Sequence, residues 1–409
     1  MSTATVPTNP AWLNRASGVS FIVGAIGLVI CAAGLFSDPT SFYRAWLVGF
    51  WLWLGTSIGA LLVLMIQYRT GGPWGFAIRR LLEAATRGFP LMVVFFVPLL
   101  FGLNKLYEWA VPEIVEKDPI LSLPFRQAYF STTALAIKAI ACLGWWGLLI
   151  WLFNNWSAQS DATRDKSYQG KCEALAAPGI LFYAVAITVF AIDYLMSLEP
   201  HWYSTIYGVM VGWGQVLTAY TLTVLMFTRL SYSDPVKSVA TKQTISDLGS
   251  LLLAFTMVWA YLSLMQFLLI WSGNIPEEMP WYQARMSGPW GYVGVSLMVL
   301  HFVAPFLLLL TTDIKRHRDR LALVCCLLLV MRVVDTLWLI VPSYEIPAIA
   351  EKMSKYSTEA GSWGPILYPA AILGIGGVWL GLYFMQLQRM TLVPTFNPKE
   401  AASHGAATH

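Results

Sequence analysis

Apolar residues run along this chain in long unbroken blocks, and polar residues collect in short segments between them. Each block is long enough to cross the hydrocarbon core of a bilayer as a helix. The blocks predict ten spans, at 16–36, 42–66, 88–104, 132–154, 177–197, 205–230, 247–271, 288–311, 319–342 and 364–386. The expected fold class is therefore an all-α integral membrane protein. Most connections are short, which predicts a single polytopic membrane domain over 1–409, with 391–409 as a flexible tail. The first block lacks a basic flank and a small-residue cleavage site, so it is expected to stay as a helix.

Composition sharpens this picture. Of the 409 residues, 57% are hydrophobic and 12% charged, against about a quarter charged in soluble domains. Seventeen of the 26 Lys and Arg residues fall on the side of both termini and of the loops at 67–87, 155–176, 231–246 and 312–318. Seven fall on the other side, and the excess predicts cytoplasmic termini. The opposite face is acidic, carrying Glu108, Glu113, Glu116, Asp118, Glu277, Glu278, Glu345, Glu351 and Glu359. The net charge of +4 thus reads as topology, and no nucleic-acid partner is expected. The five cysteines contain neither the close spacing of an iron–sulfur site nor a CxxCH haem attachment.

The loop PWGFAIRRLLEAATRG (73–88) gathers Trp74, Ile78, Leu81, Leu82 and Ala85 on one helical face, with Arg79, Arg80 and Glu83 elsewhere. That pattern predicts a short interfacial helix. Residues 104–119 predict a second surface helix. A longer-range echo relates span 5, where Asp193 precedes Pro200, to span 9, where Asp335 precedes Pro342 at the same offset; Leu195 and Leu337 each follow their Asp by two. The echo predicts two tandem four-helix bundles, spans 2–5 and 6–9, flanked by helices 1 and 10.

Lys138, Asp193, His301, Arg332 and Asp335 stand inside spans, where charges are expensive and face a bundle interior, a partner or water. At 1.5 Å per residue, Lys138 and Asp335 lie roughly 7 Å outside the midplane and Asp193 roughly 9 Å. Arg332 and His301 lie within roughly 3 Å of it. Arg332 and Asp335 share a helical face and are expected to pair; Lys138 and Asp193, on adjacent spans, are expected to do the same. These groups are either static ion pairs or exchangeable proton sites. His301 has no second in-span histidine, which argues against haem b; it is either bonded to a carbonyl freed by Pro305 or a relay. Thr56, Ser57, Tyr183, Thr188, Gln215, Thr218, Tyr220, Thr221 and Thr256 either line a water chain or bond across helices.

The segments IDYLMSLEPHWYSTIYG (192–208) and YLSLMQFLLIWSGNIPEEMPWY (261–282) resemble the ActF-type membrane subunit of bacterial alternative complex III. That family lies within the NrfD/polysulfide-reductase membrane-subunit superfamily. The resemblance implies a haem-free subunit of a quinol:electron-acceptor oxidoreductase in the bacterial inner membrane, serving a respiratory or photosynthetic chain. It implies no cofactor in this chain, with c-type haems and iron–sulfur clusters on partner subunits and menaquinol or ubiquinol as substrate of the complex. Implied partners are an NrfD-like paralogue, an iron–sulfur subunit, c-type cytochrome subunits and membrane lipid. It also implies proton conduction, for which Lys138, Asp193, His301, Arg332, Asp335, Tyr183, Gln215 and Tyr220 are the candidates. A structural anchor and a quinone-binding subunit are the rival readings. A solute transporter fits less well, given the acidic outer face and the lack of inverted repeats.

Overall fold

The computed structural model describes residues 9–345 and 363–396. Among them there is no strand, and ten helices are long and apolar enough to cross a membrane. They are span 1 (Trp12–Ser37), span 2 (Pro39–Thr70), span 3 (Pro73–Phe101), span 4 (Thr132–Thr163), span 5 (Lys166–Leu198), span 6 (Tyr207–Leu230), span 7 (Lys242–Gly273), span 8 (Gly288–Leu310), span 9 (Arg318–Tyr344) and span 10 (Gly364–Arg389). This is the all-α membrane protein that the apolar blocks predict. Glu351 and Glu359 of the acidic face, and the tail from 397 with His404 and His409, lie outside the described residues.

Several helices run past the apolar blocks. Spans 4 and 7 hold 32 residues each, about 48 Å at 1.5 Å per residue, against roughly 30 Å of hydrocarbon. Their N-terminal ends, like that of span 5 between the two, are set by side-chain caps. Ser131 Oγ accepts the Ala134 N–H at 3.2 Å, Asp165 Oδ1 that of Ser167 at 2.8 Å, and Thr241 Oγ1 that of Thr244 at 3.0 Å.

Span 2 packs on spans 3, 4 and 5, and span 4 on span 5; span 6 packs on spans 7 and 9, and span 8 on both of those. These are two four-helix groups, joined where span 2, the most buried span, meets span 6. Span 1 packs along span 10, which lies on span 2. Lipid is as apolar as leucine, so such contacts depend on close packing rather than on escape from water. At span 1 the device is glycine: a Cβ on Gly27 would sit 2.6 Å from the Gly374 Cα.

Two expectations for the connecting segments are corrected. Pro73–Thr86 is a helix, but Arg79, Arg80 and Glu83 are buried rather than solvated. The helix packs against spans 2, 6, 7 and 10, and its charges meet Asp161 at the extended end of span 4. Residues 104–119 are not one surface helix but separate single turns, including Glu108–Ala110 and Pro112–Val115. Tyr107 and Val111 are extended between them, and Pro112 has no N–H to continue a helix.

Candidate functional site

Both expected ion pairs form, one in each bundle. Lys138 Nζ lies 2.7 Å from Asp193 Oδ1 and also donates to the Tyr129 carbonyl at 3.1 Å. Asp193 is 1% exposed, whereas the Lys138 side chain keeps 20%. Tyr129, outside the spans, lies beneath the ammonium, 3.3 Å from its ring centroid. Burial, and then the Asp193 carboxylate, hold its phenol above its ordinary pKa, so it stays protonated. The α-helical part of span 5 ends one residue beyond Asp193, and the single turn Met196–Leu198 closes the span. An open cavity of about 420 Å³ adjoins this pair, lined by Phe125, Tyr129, Phe130, Ile192, Met196 and Trp202 among others.

In the second bundle Arg332 pairs with Asp335 one turn along span 9, both buried. Arg332 Nε donates to Thr218 Oγ1 at 3.0 Å, which ties span 9 to span 6. Span 6 makes room for this: a Cβ on Gly214 would fall 2.5 Å from Arg332 Nη2. The Trp259 indole faces Asp335 from span 7, and its ring centroid lies 3.9 Å from that of His301. His301 is fully buried in a π-helical stretch, Leu297–Val303, where the Ala304 N–H reaches back five residues to the Val299 carbonyl. Such widened turns recur at functional sites. Neither ring nitrogen of His301 has a hydrogen-bond partner among the described residues. Of the two alternatives for His301, the bond to a carbonyl freed by Pro305 is therefore not formed.

The other candidates divide. Gln215 is buried with both amide atoms unpartnered among the described residues, and so is the Tyr183 hydroxyl in the first bundle. Tyr220 is committed, its hydroxyl donating to the Leu248 carbonyl at 3.0 Å. Thr56, Thr188, Thr218, Thr221 and Thr256 each donate to the carbonyl four residues earlier in their own helix. Ser57 accepts from Trp379 Nε1 at 2.8 Å. These hydroxyls bond mainly within helices, as threonine does in helical segments. The structure thus gathers Arg332, Asp335 and Thr218, with Trp259 and His301 beside them, and leaves Lys138, Asp193 and Tyr183 in the other bundle.

Two charged clusters escaped the sequence reading. At the acidic end Arg285 is fully buried; its Nη1 lies 2.8 Å from Glu199 Oε1, and its Nη2 donates to the Leu339 carbonyl and to Ser343 Oγ at 2.7 Å. The guanidinium lies over the Trp281 ring, 3.8 Å from its centroid. At the basic end Glu83 accepts from Arg80 and from Ser157 Oγ, and Arg80 reaches on to Asp161. The signal was present in the first case, since Glu199 and the aromatic-rich segment before Arg285 belong to the two unusual motifs.

No protein-family model and no curated protein matches this sequence.

Proposed function

We propose that this chain is an ActF-type, haem-free membrane subunit of a quinol:electron-acceptor oxidoreductase, and that its second bundle conducts protons. The carrying observation is the buried group Arg332–Asp335–Thr218 with His301 beside it, whose ring nitrogens find no partner among the described residues. A buried polar group without a partner costs about 1–3 kcal/mol, and polar interiors of this kind are where ordered water serves. Carboxylate, imidazole and water in series are the parts of a proton relay. Gln215 of span 6, unpartnered among the described residues, turns its side chain toward Gly55 of span 2, and Lys138–Asp193 is the counterpart of the group in the first bundle.

The quinol is oxidised by partner subunits, which carry the iron–sulfur clusters and c-type haems; in keeping with that, this sequence has neither the close cysteine spacing of an iron–sulfur site nor a CxxCH motif. The bias in Lys and Arg supports cytoplasmic termini in a bacterial inner membrane. Single cysteines at Arg164 and Glu113, both exposed, test that orientation: Arg164→Cys labels only from the cytoplasmic side and Glu113→Cys only from outside. Purification in mild detergent tests membership of the complex. Multihaem and iron–sulfur subunits are expected to co-purify with this chain, and isolation as a lone transporter-like species would overturn the reading.

One observation favours a second reading, a quinone site. The 420 Å³ cavity beside Lys138–Asp193 is within the size range of ligand pockets and is walled by aromatic rings. A photoreactive quinone would then label Tyr129 or Met196.

A further inference from the structure

Away from the membrane-buried pairs, three metal-binding side chains converge at the acidic end. Glu108, Asp118 and His201 each present one ligand atom, and the three atoms lie within 4.8 Å of one another. They come from two separate segments. Glu108 sits in the turn Glu108–Ala110 and Asp118 in the loop after it, while His201 stands between spans 5 and 6. Glu108 is 1% exposed and Asp118 6%, whereas the His201 side chain keeps 40%. Asp118 Oδ1 accepts the N–H groups of Ile120 and Leu121 at 3.0 and 3.1 Å, which leaves Oδ2 turned to His201 Nε2 at 2.9 Å.

We propose that Glu108, Asp118 and His201 bind a divalent transition-metal ion, for which Zn²⁺ is the best fit. Zn²⁺ takes imidazole nitrogen and carboxylate oxygen at about 2.0–2.2 Å, which sets tetrahedral ligands about 3.4 Å apart. The observed cluster meets that with small side-chain adjustments. The imidazole argues against Mg²⁺ and Ca²⁺, which take oxygen donors. Three protein ligands leave a fourth position, on the open His201 side, for water. The ion would staple the loop 102–131 to the turn that carries Glu199, two residues before His201, and so hold the Arg285 cluster from outside. This inference does not rest on the proton-path reading.

The test uses the full chain in its detergent-purified assembly, with His404 and His409 replaced by alanine to remove tail histidines. After dialysis against a chelator, Zn²⁺ is titrated in competition with a chelating dye, and thermal unfolding is followed with and without the ion. The expected result is one saturable Zn²⁺ per chain and a higher unfolding temperature. His201→Gln, at a half-exposed position, is expected to weaken binding at least tenfold, and Asp118→Asn likewise, while Mg²⁺ at the same concentration shifts nothing. Absence of saturable binding in the parent chain, or equal affinity in His201→Gln, would overturn the proposal. The parent measurement decides the matter even where a variant fails to fold.

Discussion

Ser343 Oγ donates to Glu199 Oε1 at 2.7 Å, so the turns that close spans 5 and 9 touch one another. These are the two turns related by the echo of Asp193 with Pro200 and Asp335 with Pro342. A single buried arginine serves both, since Arg285 bonds Glu199 and Ser343 together. The repeated units are therefore clamped to each other at the acidic end.

Removing one partner from that clamp strands a buried charge, at a cost of about 3–5 kcal/mol. Glu199→Ala and Arg285→Ala should each lower the yield and the thermal unfolding temperature of detergent-purified protein sharply. Ser343→Ala removes one neutral partner and should cost about 1 kcal/mol. An unfolding temperature for Glu199→Ala equal to that of wild type would show that the clamp carries no stability.

Glu83 is the corresponding test at the basic end. It is fully buried among Arg79, Arg80 and Ser157. Glu83→Ala should destabilise by about 3–5 kcal/mol. Asp161→Asn should cost less, because its side chain retains some exposure and the amide oxygen still accepts. Thermal unfolding of the two variants side by side gives the order; the reverse order would contradict the buried network.

The sequence reading succeeded where a pattern is local. Apolar blocks mark the ten helices, and spacing within or between neighbouring spans marks Arg332–Asp335 and Lys138–Asp193. It failed where neighbours come from afar. The amphipathic face of 73–86 assigned Arg79, Arg80 and Glu83 to solvent, because nothing local reveals that span 4 continues to Asp161 and covers them. Arg285 and Glu199 stand between the apolar blocks, where nothing local marks them as buried, and it is span 9 that covers them. The π-helical turn at His301 leaves no mark in hydrophobic spacing, and the choice of helix carbonyls by the threonines is a matter of rotamers.

Helices 1 and 10 give a packing prediction. Gly27→Leu places a side chain against the Gly374 backbone, only 2.6 Å from its own Cβ position, and should separate the two helices. Gly18→Leu meets nothing within 4 Å and serves as the control. Limited proteolysis near the N-terminus should accelerate in the first variant and not in the second. Equal rates would contradict the close helix contact.

The first-bundle pair is asymmetric, and that orders its variants. Lys138 is partly exposed and can turn its ammonium toward water; Asp193 cannot. Lys138→Met should therefore impair assembly more than Asp193→Asn. The double change Lys138→Met with Asp193→Leu should recover assembly, since apolar replacement of a buried pair is often neutral. Size-exclusion yield of the complex reports both effects, and a double variant worse than either single would argue against a pairing role.

The central claim, that the second bundle moves protons, is tested most directly by Asp335→Asn. Asparagine keeps the shape and can still accept from Arg332, but it no longer titrates. The measurement is quinol-driven proton release per electron, from complex reconstituted in vesicles, read beside the rate of electron transfer. The account predicts an assembled complex that still transfers electrons and releases fewer protons per electron than wild type. An assembled Asp335→Asn complex with an unchanged proton-to-electron ratio would contradict it, and Arg332–Asp335 would then be a static anchor.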